Sequence, residues 1–128
     1  VEKVKITAEK VDSLLKGYRQ EYPFLIDFLN EELSKERPSK EIVEKTEFEI
    51  YLYDLLFETV MSLNYRYRIP LISHYFSKTP KTYDQVAAEM GVWTSTHSRR
   101  LKEGKKRVLA LMNAKLEWFE KNKKPEEA

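Results

Sequence analysis

Apolar residues recur at helical spacing along nearly the whole chain. Val11, Leu14, Leu15 and Tyr18 make one stripe. Thr7 is placed to cap it and Glu9 to complement the helix dipole, which predicts a first helix from Ala8 to about Gln20. Pro23 either kinks this helix or sits in the first turn of a second. Phe24, Leu25, Phe28, Leu29 and Leu33 continue the apolar face, with Asp27, Glu31 and Glu32 pointing elsewhere. Ser34–Glu41 is a polar loop containing Pro38, and Ser39 is placed to cap the next helix. The longest helical signal spans Glu41 to about Asn64. Its second part, Phe48 to Leu63, is apolar nearly all round, so it must be buried on more than one side.

The segment Asn64–Arg68 (NYRYR) is expected to be a connector. Pro70 can open a short helix to about Ser77, with Leu71, Ile72, Tyr75 and Phe76 inward, and Lys78–Lys81 forms a turn. Tyr83, Val86, Ala87 and Met90 then recur at helical spacing. Gly91 ends that helix, because a residue without Cβ takes the left-handed C′ conformation at little cost. Beyond it, Leu101, Val108, Met112 and Leu116 share one face of a helix that can run towards Phe119. Gly104 weakens that helix by about 1 kcal/mol relative to Ala.

The expected fold class is therefore all-α. Residues 1–64 form a helical platform after a frayed start over 1–6. Residues 65–120 form a three-helix helix–turn–helix unit, and residues 121–128 a disordered tail. The apolar helix Phe48–Leu63 carries more surface than a three-helix unit can cover. Residues 8–33 can cover one side, and the other side packs either on the DNA-binding unit or on a second copy. The favoured expectation is the second copy, making a homodimer platform that another regulatory protein can also use.

Charge sharpens the picture. The 128 residues carry a net +2, but residues 1–60 hold 9 Lys and Arg against 14 Asp and Glu, and residues 61–128 hold 14 against 7. Such asymmetry suggests that the second half meets nucleic acid. The alternative is that the two halves attract each other. There is no Cys, so disulfides and thiolate metal sites are excluded. No signal peptide and no apolar run long enough for a bilayer is visible, which gives an expectation of a cytoplasmic protein that does not enter a membrane.

The small residue Ala87, with Gly91 four positions later, is the spacing that lets two helices cross closely and turn. A strongly basic helix follows. The functional reading is double-stranded DNA binding, with the second helix in the major groove. The competing reading is two packed helices with a solvated basic face.

LISHYFSKTPKTYDQVAAEMGV followed by SRRLKEGKKRVLALM resembles region 4 of sigma factors. It is closer to the sigma-like regulators of phage late genes, the ArpU/RinA class. The matching pieces are the aromatic pair Tyr75–Phe76, Ala87–Gly91, and Arg99–Arg100–Leu101 with the basic run after it. The resemblance implies transcriptional activation of phage-type genes at promoter DNA, contact with RNA polymerase, and residence in the cytoplasm of a bacterial host. In an ungapped comparison with the sigma-type pattern, His97 and Arg100 fall on core-facing positions, where both are poor residues. One extra residue in the turn puts Ser98 and Leu101 there instead, with Trp93 as the insertion and Thr94 as the cap.

In that register Thr96, Arg99, Glu103 and Lys106 lie opposite Leu101, flanked by Arg100 and Lys102. Ser95, Thr96 and Arg99 come early on the helix, where base edges are approached, and Arg can bond guanine N7 and O6 together. Lys105, Lys106 and Arg107 come later and suit phosphates. Glu103 either accepts from cytosine N4 or pairs with Lys106 or Arg107. His97 is expected as a surface contact, and His74 as a surface or packing residue. No Gly-rich phosphate loop, catalytic triad signature or metal-spaced cluster is present, and nothing calls for a cofactor or an enzyme activity. A protein–protein adaptor, whose helix–turn–helix is structural or grips a polymerase subunit, is the competing function.

Overall fold

In the computed structural model, which describes residues 5–122, local capping sets where the helices begin. Helix α1 (Ala8–Gly17) starts after Thr7, whose hydroxyl accepts from the Lys10 amide at 3.2 Å. Helix α2 (Glu21–Leu33) takes Pro23 into its first turn, where a missing N–H costs nothing. Helix α3 (Lys40–Ser62) is capped by Ser39, which accepts from Ile42 N at 3.3 Å. Helix α5 (Tyr83–Met90) opens on a reciprocal capping box. Gln85 N donates to Thr82 Oγ1, and the Gln85 side-chain carbonyl accepts from Thr82 N at 2.8 Å. Helix α6 (Thr94–Asn122) is the longest. The described residues contain no strand, and the fold class they show is all-α.

Several expectations change. The connector NYRYR is helix α4 (Tyr65–Leu71), capped by Asn64 through Arg66 N at 3.1 Å. Pro70 lies inside α4 rather than opening a helix, and its missing N–H leaves the Arg66 carbonyl without its helical partner. The chain continues as a π turn over Ile72–Phe76, closed by Ser77 N donating to Ile72 O at 3.0 Å. Glu32 does not point to solvent but is only 4% exposed. Its carboxylate accepts from the Ser39 amide at 2.8 Å and from Lys35 Nζ at 2.9 Å, which stitches α2 to the start of α3. The Ser39 amide first, then Lys35, hold this carboxyl below its usual range. Ile6 is not frayed. Asn113 of α6 accepts from its amide at 2.9 Å and donates to its carbonyl at 3.0 Å. The rest of the expected start, residues 1–4, lies outside the described residues. So does most of the expected tail, since Lys121 and Asn122 belong to α6 and residues 123–128 are not described.

Helix α6 decides the architecture. Its row Leu101, Gly104, Val108, Met112 and Leu116 is buried. It packs on α4 and α5, and further along on α1 and α3. Val11, Leu14 and Leu15 of α1, Leu52 to Val60 of α3, and Leu71 of α4 belong to one continuous apolar cluster with it. The core therefore does not divide at residue 64. Of the two covers open to the other side of α3, the DNA-binding unit supplies one through α6. Gly104 sits where α6 passes α4. A Cβ there would lie 3.4 Å from Leu71 Cδ1 and 3.5 Å from Tyr67 Cβ, ordinary van der Waals distances, so the crossing would also hold an alanine. A second seam is aromatic. The Tyr18 ring lies 4.3 Å from Phe76 and 6.0 Å from Phe57, joining the end of α1, the C-terminal part of α3 and the π turn.

One core implies one unfolding event. Met112→Ala should cost about 2–5 kcal/mol, the usual range for emptying a buried Met site. Helical circular dichroism and tryptophan fluorescence should still report the same midpoint. Two separated transitions, with Met112→Ala moving only one, would show that the halves are cored independently.

Candidate nucleic-acid interface

The turn between α5 and α6 is set by backbone geometry. Gly91 adopts φ 69°, the left-handed region. Its N–H donates to Ala88 O at 3.1 Å and the next, from Val92, to Ala87 O at 3.0 Å, which is the Schellman pattern. Ala87 is buried against α6, as the close crossing requires. Trp93, not Thr94, takes the position before the helix, because its carbonyl accepts the first helical bond, from His97 N at 2.9 Å. The Thr94 hydroxyl points back to Asp84 at 3.4 Å.

The register on α6 is neither of the two expected. The inward residues are His97 and Leu101, one from each alternative, while Ser98 and Arg100 are half-buried. His97 is 1% exposed, so it is not a surface contact for DNA. A histidine survives there because it has a partner. Its Nε2 lies 2.7 Å from Nε2 of His74 in the π turn, and His74 Nδ1 lies 2.9 Å from the Lys81 carbonyl. The carbonyl can only accept, so His74 Nδ1 carries the proton, His74 Nε2 accepts, and His97 Nε2–H donates. The Tyr83 ring covers the pair, 4.9 Å from His74 and 5.3 Å from His97. This chain of bonds fastens the first turn of α6 to the segment leading into α5. Burial pushes both imidazoles below their ordinary pKa. His74 and Arg100 add to the effect on His97, and Lys105 adds to that on His74, against the Lys81 carbonyl, which opposes it.

Outward from this row, the structure brings Thr96, Arg99, Arg100, Lys102, Glu103 and Lys106 to one shallow groove on α6. Arg66 and Tyr67 of α4 form its other wall. Ser95 is exposed at the leading end. Arg99 Nη2 donates to Thr96 Oγ1 at 3.3 Å, which aims the guanidinium along the helix. Arg66 is an addition to the expected set. It sits in the segment read as a connector, and the signal for it was Asn64, a good cap two residues earlier.

Ion pairing divides the basic run. Lys105 lies on another side of α6, bound to Asp12 of α1 at 2.9 Å and near the Tyr75 ring at 5.3 Å. That carboxylate, held below its usual range by Lys16 and then Lys105, removes Lys105 from the groove. Arg107 pairs with Glu103 at 3.2 Å and stands 4.6 Å from the Tyr67 ring centroid. Of the two roles open to Glu103, pairing is the one present. Arg66, Arg99, Arg100, Lys102 and Lys106 have no carboxylate partner among the described residues. Five unneutralised cations along one groove make a positive strip whose field is not cancelled locally.

No family model, curated protein or solved structure matches this chain. No helix among the described residues is long and apolar enough to cross a membrane.

The histidine pair makes stability depend on pH with a defined sign. Both groups have folded pKa values below the ordinary 6.5, so the unfolded chain binds their protons first as pH falls. Their contribution is fully present above 6.5 and is lost from there downward, towards the lower folded values. His74→Gln should flatten the dependence of the urea midpoint on pH below 6.5. An unchanged acid-side profile would show that the imidazoles are not held neutral.

Proposed function

We propose that the chain is a sequence-specific DNA-binding transcriptional regulator, an activator of phage-type late genes that works at promoter DNA with RNA polymerase. The observation that carries this reading is the unpaired cationic groove on α6, directly after the tight Ala87–Gly91 turn. Duplex DNA offers closely spaced phosphates, and a row of free Lys and Arg releases their counterions on binding. In this reading Arg99, with Ser95 and Thr96, faces base edges, while Arg66, Arg100, Lys102 and Lys106 hold phosphates. Arg107 reaches phosphate only by leaving Glu103. Lys105 serves the fold instead. The resemblance to sigma-like late-gene regulators supplies the transcriptional part of the proposal.

A second reading, a protein–protein adaptor, draws on a different surface. Helix α2 packs chiefly on α3, and Phe24 is 62% exposed beside Phe28, with ring centroids 6.2 Å apart. Together with the acidic balance of residues 1–60, this surface suits a protein rather than DNA, whether polymerase, a regulatory protein or a second copy. The two readings coexist in an activator and separate when DNA is tested alone.

Log affinity for duplex DNA should fall with log salt at about −0.9 per neutralised phosphate, hence roughly −3 to −4 with four cations engaged. Lys106→Ala should flatten the slope by about one unit on every sequence. Lys105→Ala should leave the slope alone and lower the unfolding midpoint. A wild-type slope near zero, with retention on polymerase, would favour the adaptor.

Arg99→Ala should lose about 1–3 kcal/mol on duplexes selected from a random pool and much less on unselected ones. Equal losses would make Arg99 a phosphate contact.

A further inference from the structure

Trp93 is 83% exposed, more than any other large apolar side chain among the described residues. Single exposed apolar residues are ordinary on protein surfaces, so exposure alone means little. What sets Trp93 apart is how and where it is held. Its backbone is fixed from both sides. Before it come the two Schellman bonds to Ala87 O and Ala88 O, and after it the bond from His97 N to its own carbonyl at 2.9 Å. His97 is in turn buried and bonded to His74. The indole is thus carried on a rigid mount at the leading end of α6. Trp93 lies just outside α6 and does not itself line the cationic groove. It immediately precedes the exposed first-turn residues Thr94 and Ser95, and Thr96 borders the groove.

An indole offers an apolar plate and one N–H donor, and carries no charge to neutralise a phosphate. In the major groove the apolar feature that distinguishes one base pair from another is the 5-methyl group of thymine. Platforms for unpaired bases use successive aromatic rings along a strand. No aromatic ring packs on Trp93 among the described residues, which favours the duplex edge over a stacked single strand. We propose that Trp93 is a specificity-determining residue that recognises a thymine in duplex DNA through its 5-methyl group, next to the bases met by Ser95, Thr96 and Arg99. This rests on the DNA-binding reading under Proposed function.

The test uses the full chain and the best duplex selected from a random pool. Each thymine is replaced in turn by deoxyuridine, which lacks only the methyl. For wild type, one such replacement should weaken binding about fourfold, the effect of one buried methyl. Trp93→Ala should bind the selected duplex less well and show no response at that position, while Trp93→Phe should keep part of it. The chain has two tryptophans, so Trp118→Phe leaves Trp93 as the sole reporter, and its fluorescence should shift when the selected duplex is added. Far-UV circular dichroism should be unchanged in Trp93→Ala, since so exposed a side chain supports no core. A uridine response that is the same in wild type and Trp93→Ala overturns the inference while leaving DNA binding intact. So does tighter binding to the single strand than to the duplex, which would make Trp93 a stacking residue. Absence of salt-dependent duplex binding in wild type removes the DNA reading and this inference with it.

Discussion

The burial of one face of α6 is the constraint on which the rest depends. A single helix of 29 residues carries Leu101, Gly104, Val108, Met112 and Leu116 on one row, and the same row closes two different groups of helices. At its start it packs on α4 and α5, and later on α1 and α3. A helix so committed cannot rotate about its axis without exposing that row. The groove residues Arg99, Lys102 and Lys106 therefore have a fixed bearing relative to the whole molecule. The proposed DNA-facing surface is held rigid by a core that reaches into the acidic half.

Charge is organised by the same geometry. The basic run Arg99–Arg107 is not one patch but three. Lys105 turns towards Asp12 and stabilises the seam between α6 and α1. Arg107 is engaged by Glu103 and Tyr67. The remaining cations, joined by Arg66 from α4, line the groove. Exposed ion pairs contribute little to stability, but they decide which charges remain free to act on a distant anion. The attraction between acidic and basic halves, the alternative to DNA binding, is thus present at Lys105–Asp12, Lys10–Glu49 being a pair within the first half and Lys115–Glu58 a second bridge across. It uses up part of the basic surplus and leaves the groove untouched.

The histidine pair and the turn show how a polar group can occupy a core position. A lone buried imidazole would lose its hydrogen bonds to water at a substantial cost. Here His97 donates to His74, and His74 donates to a backbone carbonyl, so the chain of donors is complete. The arrangement also fixes the mount of Trp93, because the same His97 supplies the first helical N–H. Packing, protonation and the orientation of the proposed reading head are linked through one residue.

Sequence alone determined the features that depend on near neighbours. Thr7 and Ser39 cap helices because their bonds reach only three residues ahead. Gly91 turns the chain because its own φ must be positive, and the row Leu101–Leu116 is visible from spacing. Helical class, the tight turn and most of the groove residues follow from these. Tertiary structure decided whatever depends on distant partners. His97 is inward because His74, 23 residues away, accepts its hydrogen bond. Lys105 leaves the groove because Asp12 lies across the fold, and Ile6 is ordered because Asn113 meets it 107 residues on. Arg66 joins the groove only because α4 packs beside α6. A polar or charged side chain is stable on either face of a helix if a partner is there, and spacing along one helix carries no information about partners on another.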